Sequence, residues 1–202
     1  YGIALGCFNG FIVTVVGVNA LITTLGGLGF LYGVALLIGN GQTIQMKNFE
    51  WLGTAQPLTI PLPILIFFAI AICGSIALRY TRYGRSIYAI GSNPNAARVV
   101  GIRSNRIIFV TFILSSISAA LSGAILASQL SAGDPNSGLG MELQVVTAIV
   151  LGGASLAGGR GTIFGTILGL LIVGVLNNGL ILLDVPTFWQ RIAQGLMLIA
   201  AV

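Results

Sequence analysis

The sequence has very few charged residues: nine Lys or Arg and four Asp or Glu among 202 residues, which is 6% of the chain. Soluble domains carry roughly 25%, and a soluble globule could not cover its surface with so few charges. Disorder is excluded as well, because disordered chains are rich in charge and poor in apolar residues. Histidine is absent, which removes the most frequent metal ligand and a common catalytic base. With 56% hydrophobic residues and a mean hydropathy of +1.02, the chain is an integral membrane protein.

Long uncharged runs dominate the sequence. They cover residues 1–46, 51–78, 107–133, 143–159 and 161–183. A helix that crosses a bilayer needs about 20 mostly apolar residues. The strands of a membrane barrel instead alternate apolar and polar residues over roughly 10 positions. The fold class is therefore predicted as all-α, a polytopic transmembrane helix bundle.

Glycine, proline and charge divide these runs into about seven spans or part-spans. The predicted helices lie near 2–17, 21–39, 63–80, 107–130, 143–157 and 161–182, followed by a last segment from 188. No basic stretch precedes the first apolar segment, as a signal peptide would require, and Tyr1 is not a start residue. We interpret the sequence as an excerpt of a longer chain, cut at both ends within its membrane domain.

A basic loop fixes the predicted orientation. Residues 79–106 hold six Arg and no acid, and cytoplasmic loops carry the excess of Lys and Arg. Alternation then places the 40–62 loop, which contains Lys47, and the 131–142 loop together on the outer side. Arg191 is the one basic residue that this arrangement places near the outer end of a span, where its side chain can snorkel.

No catalytic or metal-binding constellation is visible. Cys7 and Cys73 lie far apart in apolar spans, where a cysteine usually behaves as a small apolar residue. The segment 153–160 has the GxxxxG spacing of a phosphate loop but lacks its Lys and Ser/Thr. The favoured interpretation of this segment is close helix packing or a re-entrant turn. The predicted orientation places Arg160 on the cytoplasmic side. Glycines spaced by four also predict close helix approach; these are Gly6/Gly10, Gly29/Gly33 and Gly161/Gly165/Gly169.

The basic loop also contains helix-capping signals. Ser92 or Asn93 can cap a helix, Pro94 suits its first position, and Gly101 suits its C-terminal stop. The sequence therefore predicts a short helix near 94–100. The alternative role for this loop is that its arginines only set the membrane topology and contact anionic lipid. A capped helix is not needed for that role. It suggests a docking surface.

Three separated motifs carry a family resemblance. The loop GRSIYAIGSNPNAARVVGI, the later AIVLGGASLAGGRGTIFGTILGLLIVGVLNNGLILL and the early FNGFIVTVVGVNALITTLGGL are spread along the chain. They resemble bacterial ABC-importer permeases of the ribose, xylose and autoinducer type, over the whole chain. Members have about ten spans, so the resemblance implies that residues 1–202 are one incomplete transmembrane permease domain, with 79–106 as its cytoplasmic coupling loop.

The resemblance also implies partners and a location. A second permease subunit, identical or related, would complete the pathway in the bacterial inner membrane, in contact with membrane lipid. Two ATPase subunits would carry ATP and Mg, so that this chain holds no cofactor and is not itself an enzyme. A periplasmic or lipid-anchored binding protein would deliver a sugar, and no nucleic-acid partner is expected.

Within the loop, the family pattern of Glu-Ala-Ala, three residues, then Gly is matched at Asn95, Ala96, Ala97 and Gly101. Asn95 departs from the usual Glu, so the resemblance does not extend to an acid contact with the ATPase at this position. The predicted coupling surface consists of Gly84, Arg85, Gly91, Asn93, Pro94, Ala96, Ala97, Arg98 and Gly101.

Polar side chains within spans are candidates for the substrate pathway, because they are costly in a membrane. They are Asn9, Asn177, Asn178 and Gln194. Neutral amides suit a sugar passing through a water-filled space, and hydrogen bonding between helices is the alternative.

Other transport classes remain open from the residues alone. A secondary transporter usually needs an ionisable or discontinuous site near the midplane, and none of the four acids falls at the centre of a predicted span. A passive channel would not need the structured basic loop. Within the importer class, a branched-chain amino-acid permease is the nearest rival, although we see no charged group in mid-membrane to hold its substrate.

Overall fold

The computed structural model describes residues 1–46 and 49–201, without the side chain of Leu58. Lys47, assigned from the sequence to the 40–62 loop, lies outside the described residues. The chain forms two compact units, Tyr1–Ile70 with Ile102–Gly138, and Ala71–Gly101 with Leu139–Val202.

The first unit is built from helices and a short ribbon. In chain order it contains α1 (Gly2–Phe11), a π-helical turn (Ile12–Val16), α2 (Ala20–Gly39), β1 (Ile44–Gln45), α3 (Trp51–Thr54), a 3-10 turn (Pro57–Thr59), the first half of α4 (Leu62–Tyr80), α7 (Ser104–Leu130) and β2 (Ala132–Gly133). The second unit contains the rest of α4, then α5 (Arg82–Ser92), α6 (Pro94–Val99), α8 (Met141–Leu151), α9 (Ile163–Leu182) and α10 (Thr187–Ala201).

Four of the described helices are long and apolar enough to cross a membrane, namely α2, α4, α7 and α9. The stretch Gly2–Val16 and α8 are shorter apolar helices. Large apolar side chains on these helices are widely exposed, as expected of surfaces that face lipid or other helices. The predicted all-α membrane fold is confirmed.

Small residues let α1 lie directly on α7. Gly2, Gly6 and Gly10 are buried on one face of α1, and a methyl group built on Gly6 would lie 2.7 Å from the Cα of Ile113. The predicted close approach is therefore observed for Gly6/Gly10. For Gly29/Gly33 the structure shows no atom of the described residues within 4 Å of such a methyl group.

Two features of the first unit involve the loops predicted on the outer side. β1 pairs antiparallel with β2, with Ile44 opposite Gly133, so the 40–62 and 131–142 loops lie on the same side as expected. Ser128, which is fully buried, accepts a hydrogen bond from the Gly53 N–H (2.8 Å) and donates one to the Phe49 carbonyl (2.5 Å). This hydroxyl ties α3 to α7.

The sequence prediction was wrong in two places. The predicted helix 143–157 ends at Leu151, because Gly153 takes a left-handed conformation (φ +83°) that an α-helix cannot continue through. The basic loop holds an additional helix, α5, whose N-terminus is capped by Thr81: its hydroxyl accepts from the Gly84 N–H at 3.2 Å.

Candidate functional site

The basic loop folds as two consecutive helices, α5 and α6, joined at Asn93. The Asn93 side-chain oxygen accepts hydrogen bonds from the N–H groups of Asn95 (3.1 Å) and Ala96 (3.0 Å). Pro94 occupies the first position of α6, and Gly101, at φ +85°, closes its C-terminal end with an N–H bond to the Arg98 carbonyl (2.9 Å). The short capped helix predicted from the sequence is confirmed, with Asn93 rather than Ser92 as the cap.

The predicted coupling residues divide into an exposed set and a packed set. The exposed set consists of Arg85, Asn93, Pro94, Ala96, Arg98 and Gly101. Gly84 and Ala97 are buried and Gly91 is half-buried. A methyl group on Gly84 would meet the backbone of Leu78. The packed residues hold the loop in place, whereas the exposed ones are free to meet a partner.

Val99 and Val100, at the C-terminal end of α6, have exposed side chains. Val99 is 88% exposed and Val100 is 79% exposed. They lie beside Arg98, so that a cation and two apolar side chains share one small surface. An exposed apolar patch rimmed by polar groups is typical of a protein interaction site. We refer to Arg98, Val99 and Val100 as the α6 tip.

The segment between α8 and α9, residues 152–161, is the structural partner of α5, and we call it the glycine loop. A methyl group on Gly91 would lie 2.5 Å from the backbone nitrogen of Gly159, so backbone meets backbone with no room for a side chain. The Tyr88 hydroxyl donates a hydrogen bond to the Gly161 carbonyl at 2.7 Å. The 153–160 segment therefore makes the close packing favoured from the sequence, and it lies on the same side as the basic loop.

The glycine loop leads into a second close contact, between α8 and α9. A methyl group on Gly165 would meet the Gly152 carbonyl, and one on Gly169 would meet the Ala148 carbonyl. Ala148 is only 2% exposed. Gly165 and Gly169 thus bring two backbones together as predicted, whereas Gly161 was wrongly assigned to this helical face, because it lies before α9 with φ +156°. A continuous path of tight contacts runs from α5 through the glycine loop into α8 and α9.

The candidate pathway amides are distributed over both units. In the second unit, the Gln194 amide nitrogen of α10 donates to the Asn177 side-chain oxygen of α9 at 3.0 Å. Asn178 is exposed. Asn9 belongs to the first unit, where its side-chain oxygen would be 3.5 Å from a methyl group on Gly27 of α2. Asn177 and Gln194 are therefore brought together, in the bond between helices that the sequence left as the alternative.

No cluster of three or more potential metal ligands occurs among the described residues. The second unit thus combines the exposed α6 tip, the backbone contact between α5 and the glycine loop, and two helices, α9 and α10, that carry neutral amides.

Comparison with known proteins decides the family. The family described as "Branched-chain amino acid transport system / permease component" has a sequence model that matches residues 1–202. The chain belongs to this permease family. This membership agrees with the resemblance found from the three motifs.

Curated relatives of the permease have sugar names. It is 40% identical to the ribose import permease protein of Escherichia coli strain K12, over 100% of this chain and 64% of that protein. It is 40% identical to the L-arabinose transport system permease protein of the same strain, over 96% of this chain and 60% of that protein. A Haemophilus influenzae xylose transport system permease protein is 45% identical over 71% of this chain and 38% of its own length. No solved structure matches the chain.

The permease chain spans about two thirds or less of the length of these relatives.

Its site includes residues that sequence reasoning missed, above all Tyr88, Val99 and Val100, and the pairing of Gly91 with Gly159. The alternation of loops could have suggested that pairing, since it placed both segments on one side. Nothing in the sequence marked the two valines, because apolar residues are ordinary everywhere in this chain.

Proposed function

We propose that this permease chain is part of the membrane-spanning subunit of an ATP-driven, binding-protein-dependent importer of a monosaccharide. ATP and Mg²⁺ belong to a separate ATPase subunit on the cytoplasmic side, and a binding protein delivers the sugar from outside. A second permease subunit completes the pathway. The observation that carries the proposal is the exposed α6 tip, seated on a rigid backbone support.

The α6 tip is suited to docking in a cleft of the ATPase. The two valines supply apolar area, and Arg98 supplies a charge that can pair with an acid of the partner. Since Asn95 replaces the usual Glu, Arg98 takes the leading part in polar recognition. Movement of the tip reaches α5 through the capped junction at Asn93.

From α5 the movement passes to the spans. Gly91 and Gly159 touch through backbone, which cannot change rotamer to absorb a displacement as a side chain could. The glycine loop therefore moves with α5, and α8 and α9 move with it through the tight contact at Gly165 and Gly169. In this proposal the movement of α9 brings Asn177 towards Gln194 and away from it. The pathway thereby opens alternately to the two sides of the membrane.

A sugar is favoured over a branched-chain amino acid by the chemistry of the spans. An amino acid carries an ammonium and a carboxylate, which need charged or strongly polar partners in a membrane. In the four candidate spans, charged side chains occur only in the terminal turns, as with Arg79 near the end of α4 and Arg106 near the start of α7. The ribose, arabinose and xylose names of the relatives support the same substrate class.

The proposal is tested by co-purification of the full-length permease with the ATPase encoded beside it, together with uptake of labelled pentoses and hexoses. We expect the wild type to retain the ATPase and the Arg98→Glu variant to lose both binding and uptake. Arg103→Glu is the matched control, because it reverses an exposed charge in the same loop outside α6. Wild-type uptake in Arg98→Glu contradicts the docking role, and uptake of leucine instead of a sugar contradicts the substrate class.

A further inference from the structure

A cavity of the second unit lies beside the α5 helix. It has a volume of about 560 Å³ and lies between the end of α4, the α5 helix and the start of α9. Its lining includes two cations, Arg79 and Arg85, and three apolar side chains, Leu78, Ile163 and Phe164. The cavity thus offers both positive charge and apolar surface.

Among the described residues, the two arginines lack an acidic partner. Glu142 and Asp184 are the acids of this unit. Glu142 begins α8, whose opposite end leads into the glycine loop, and Asp184 lies beyond the far end of the 20-residue α9, which is about 30 Å away from its start. No described acidic side chain forms an ion pair with Arg79 or Arg85. The Arg79 guanidinium instead lies 5.6 Å from the centre of the Tyr80 ring.

The cavity lies where two candidate spans end. Arg79 is in the last turn of α4, and Ile163 and Phe164 are in the first turn of α9. The ends of spans coincide with the lipid headgroups, and basic pockets between spans on the cytoplasmic side bind anionic headgroups. An anion bound at this depth would be the phosphate of a phospholipid, whose acyl chain would meet the apolar side chains of the lining.

We propose that this cavity binds one anionic phospholipid, whose phosphate is held by Arg79 and Arg85 and whose first acyl carbons lie against Ile163 and Phe164. Arg85, which the sequence assigned to the coupling surface, then binds a lipid headgroup. A zwitterionic lipid is disfavoured, because its ammonium group would be brought close to two guanidinium groups. The inference concerns lipid binding and does not depend on the transported substrate.

The test measures which lipid stays with the purified full-length permease. The protein is placed in nanodiscs that contain equal amounts of phosphatidylglycerol and phosphatidylcholine, and bound lipids are counted by native mass spectrometry. We expect phosphatidylglycerol to be retained selectively, and Arg79→Gln or Arg85→Gln to weaken its binding about fivefold each. Arg103→Gln and Arg106→Gln are the controls, since they remove the same charge from the same loop outside the cavity.

Three results would overturn the proposal. Equal loss of selectivity in the control variants and the cavity variants would indicate diffuse attraction to the membrane surface. Equal retention of both lipids by the wild type would exclude a selective site. Displacement of phosphatidylglycerol by a large excess of inorganic phosphate would make the cavity a site for a free anion.

A second measurement leaves the arginines intact, in case their variants do not fold. Phe164→Trp places a fluorophore in the cavity wall, and its quenching by chain-brominated lipids is measured after subtraction of the parent chain, which contains Trp51 and Trp189. We expect brominated phosphatidylglycerol to quench it more strongly than brominated phosphatidylcholine. Equal quenching contradicts a selective site.

Discussion

Replacing Gly91 by alanine adds one methyl group where α5 touches the glycine loop. That methyl group would lie 2.5 Å from the Gly159 nitrogen and 3.1 Å from its Cα, whereas non-bonded heavy atoms are at ease at about 3.5–4.0 Å. The two backbones must therefore separate by about 1 Å. Overpacking of this kind costs about 1–3 kcal/mol. Better helix propensity returns at most about 1 kcal/mol, so we expect a net loss of up to about 3 kcal/mol.

Gly179→Ala in α9 is the matched control. It is the same substitution in a helix of the same unit, but a methyl group there meets no described atom within 4 Å. The difference between the two variants isolates the backbone contact, because the gain in helix propensity is common to both. Thermal unfolding of the purified full-length permease measures stability, and uptake is measured beside retention of the ATPase.

We expect Gly91→Ala to keep the ATPase bound, since the α6 tip is unchanged, but to import sugar more slowly than Gly179→Ala. Equal stability and equal uptake in the two variants would refute the reasoning, because the contact would then carry neither packing energy nor movement. Loss of ATPase binding in Gly91→Ala would also contradict it, since docking and transmission would not be separable.

Three further predictions concern other parts of the chain. Ser128→Ala should lower the free energy of unfolding by about 0.5–1.5 kcal/mol, because it removes the bond to the Phe49 carbonyl and leaves the Gly53 N–H with only its 3.2 Å bond to the Glu50 carbonyl; an unchanged unfolding midpoint contradicts this. Changing Val99 and Val100 together to Asn should leave the midpoint unchanged, since both side chains are exposed, and should weaken ATPase retention in the co-purification assay. A double-mutant cycle with Asn177→Leu and Gln194→Leu should give a coupling energy of about 0.6 kcal/mol, the usual value between membrane helices; a coupling of zero in unfolding measurements contradicts a bond between α9 and α10.

Long apolar segments were the part of this fold that the sequence predicted best. Their signal is composition alone, and it located α2, α4, α7 and α9 to within a few residues. The α6 helix was predictable for a different reason, because Asn93, Pro94 and Gly101 act within a few residues of one another. Local chemistry of this kind does not depend on tertiary structure.

Features that depend on contacts between distant segments were not predictable. The α5 helix looked like part of a basic loop, since arginine content reports charge and not backbone conformation. The end of α8 was misplaced because glycines within apolar runs can either continue a helix or end it. At the candidate site, the structure shows exposed residues near Arg98, and their role in coupling stays a prediction. The contact between α5 and the glycine loop pairs Gly91 with Gly159, and spacing along the chain does not specify such a pair.

The π-helical turn at Ile12–Val16 constrains how many residues this segment contains as well as which residues they are. In it, the N–H groups of Gly17 and Val18 both bond to the Ile12 carbonyl, at 3.1 and 3.3 Å, and the Thr14 carbonyl is taken up by the Asn105 amide at 3.0 Å. A π turn is equivalent to one inserted residue in an α-helix. Deleting one residue here would replace the wide turn by regular α-helical winding, in which the Thr14 carbonyl is no longer presented to the Asn105 amide. Single-residue deletions should therefore be tolerated far less well in this turn than conservative substitutions at the same positions.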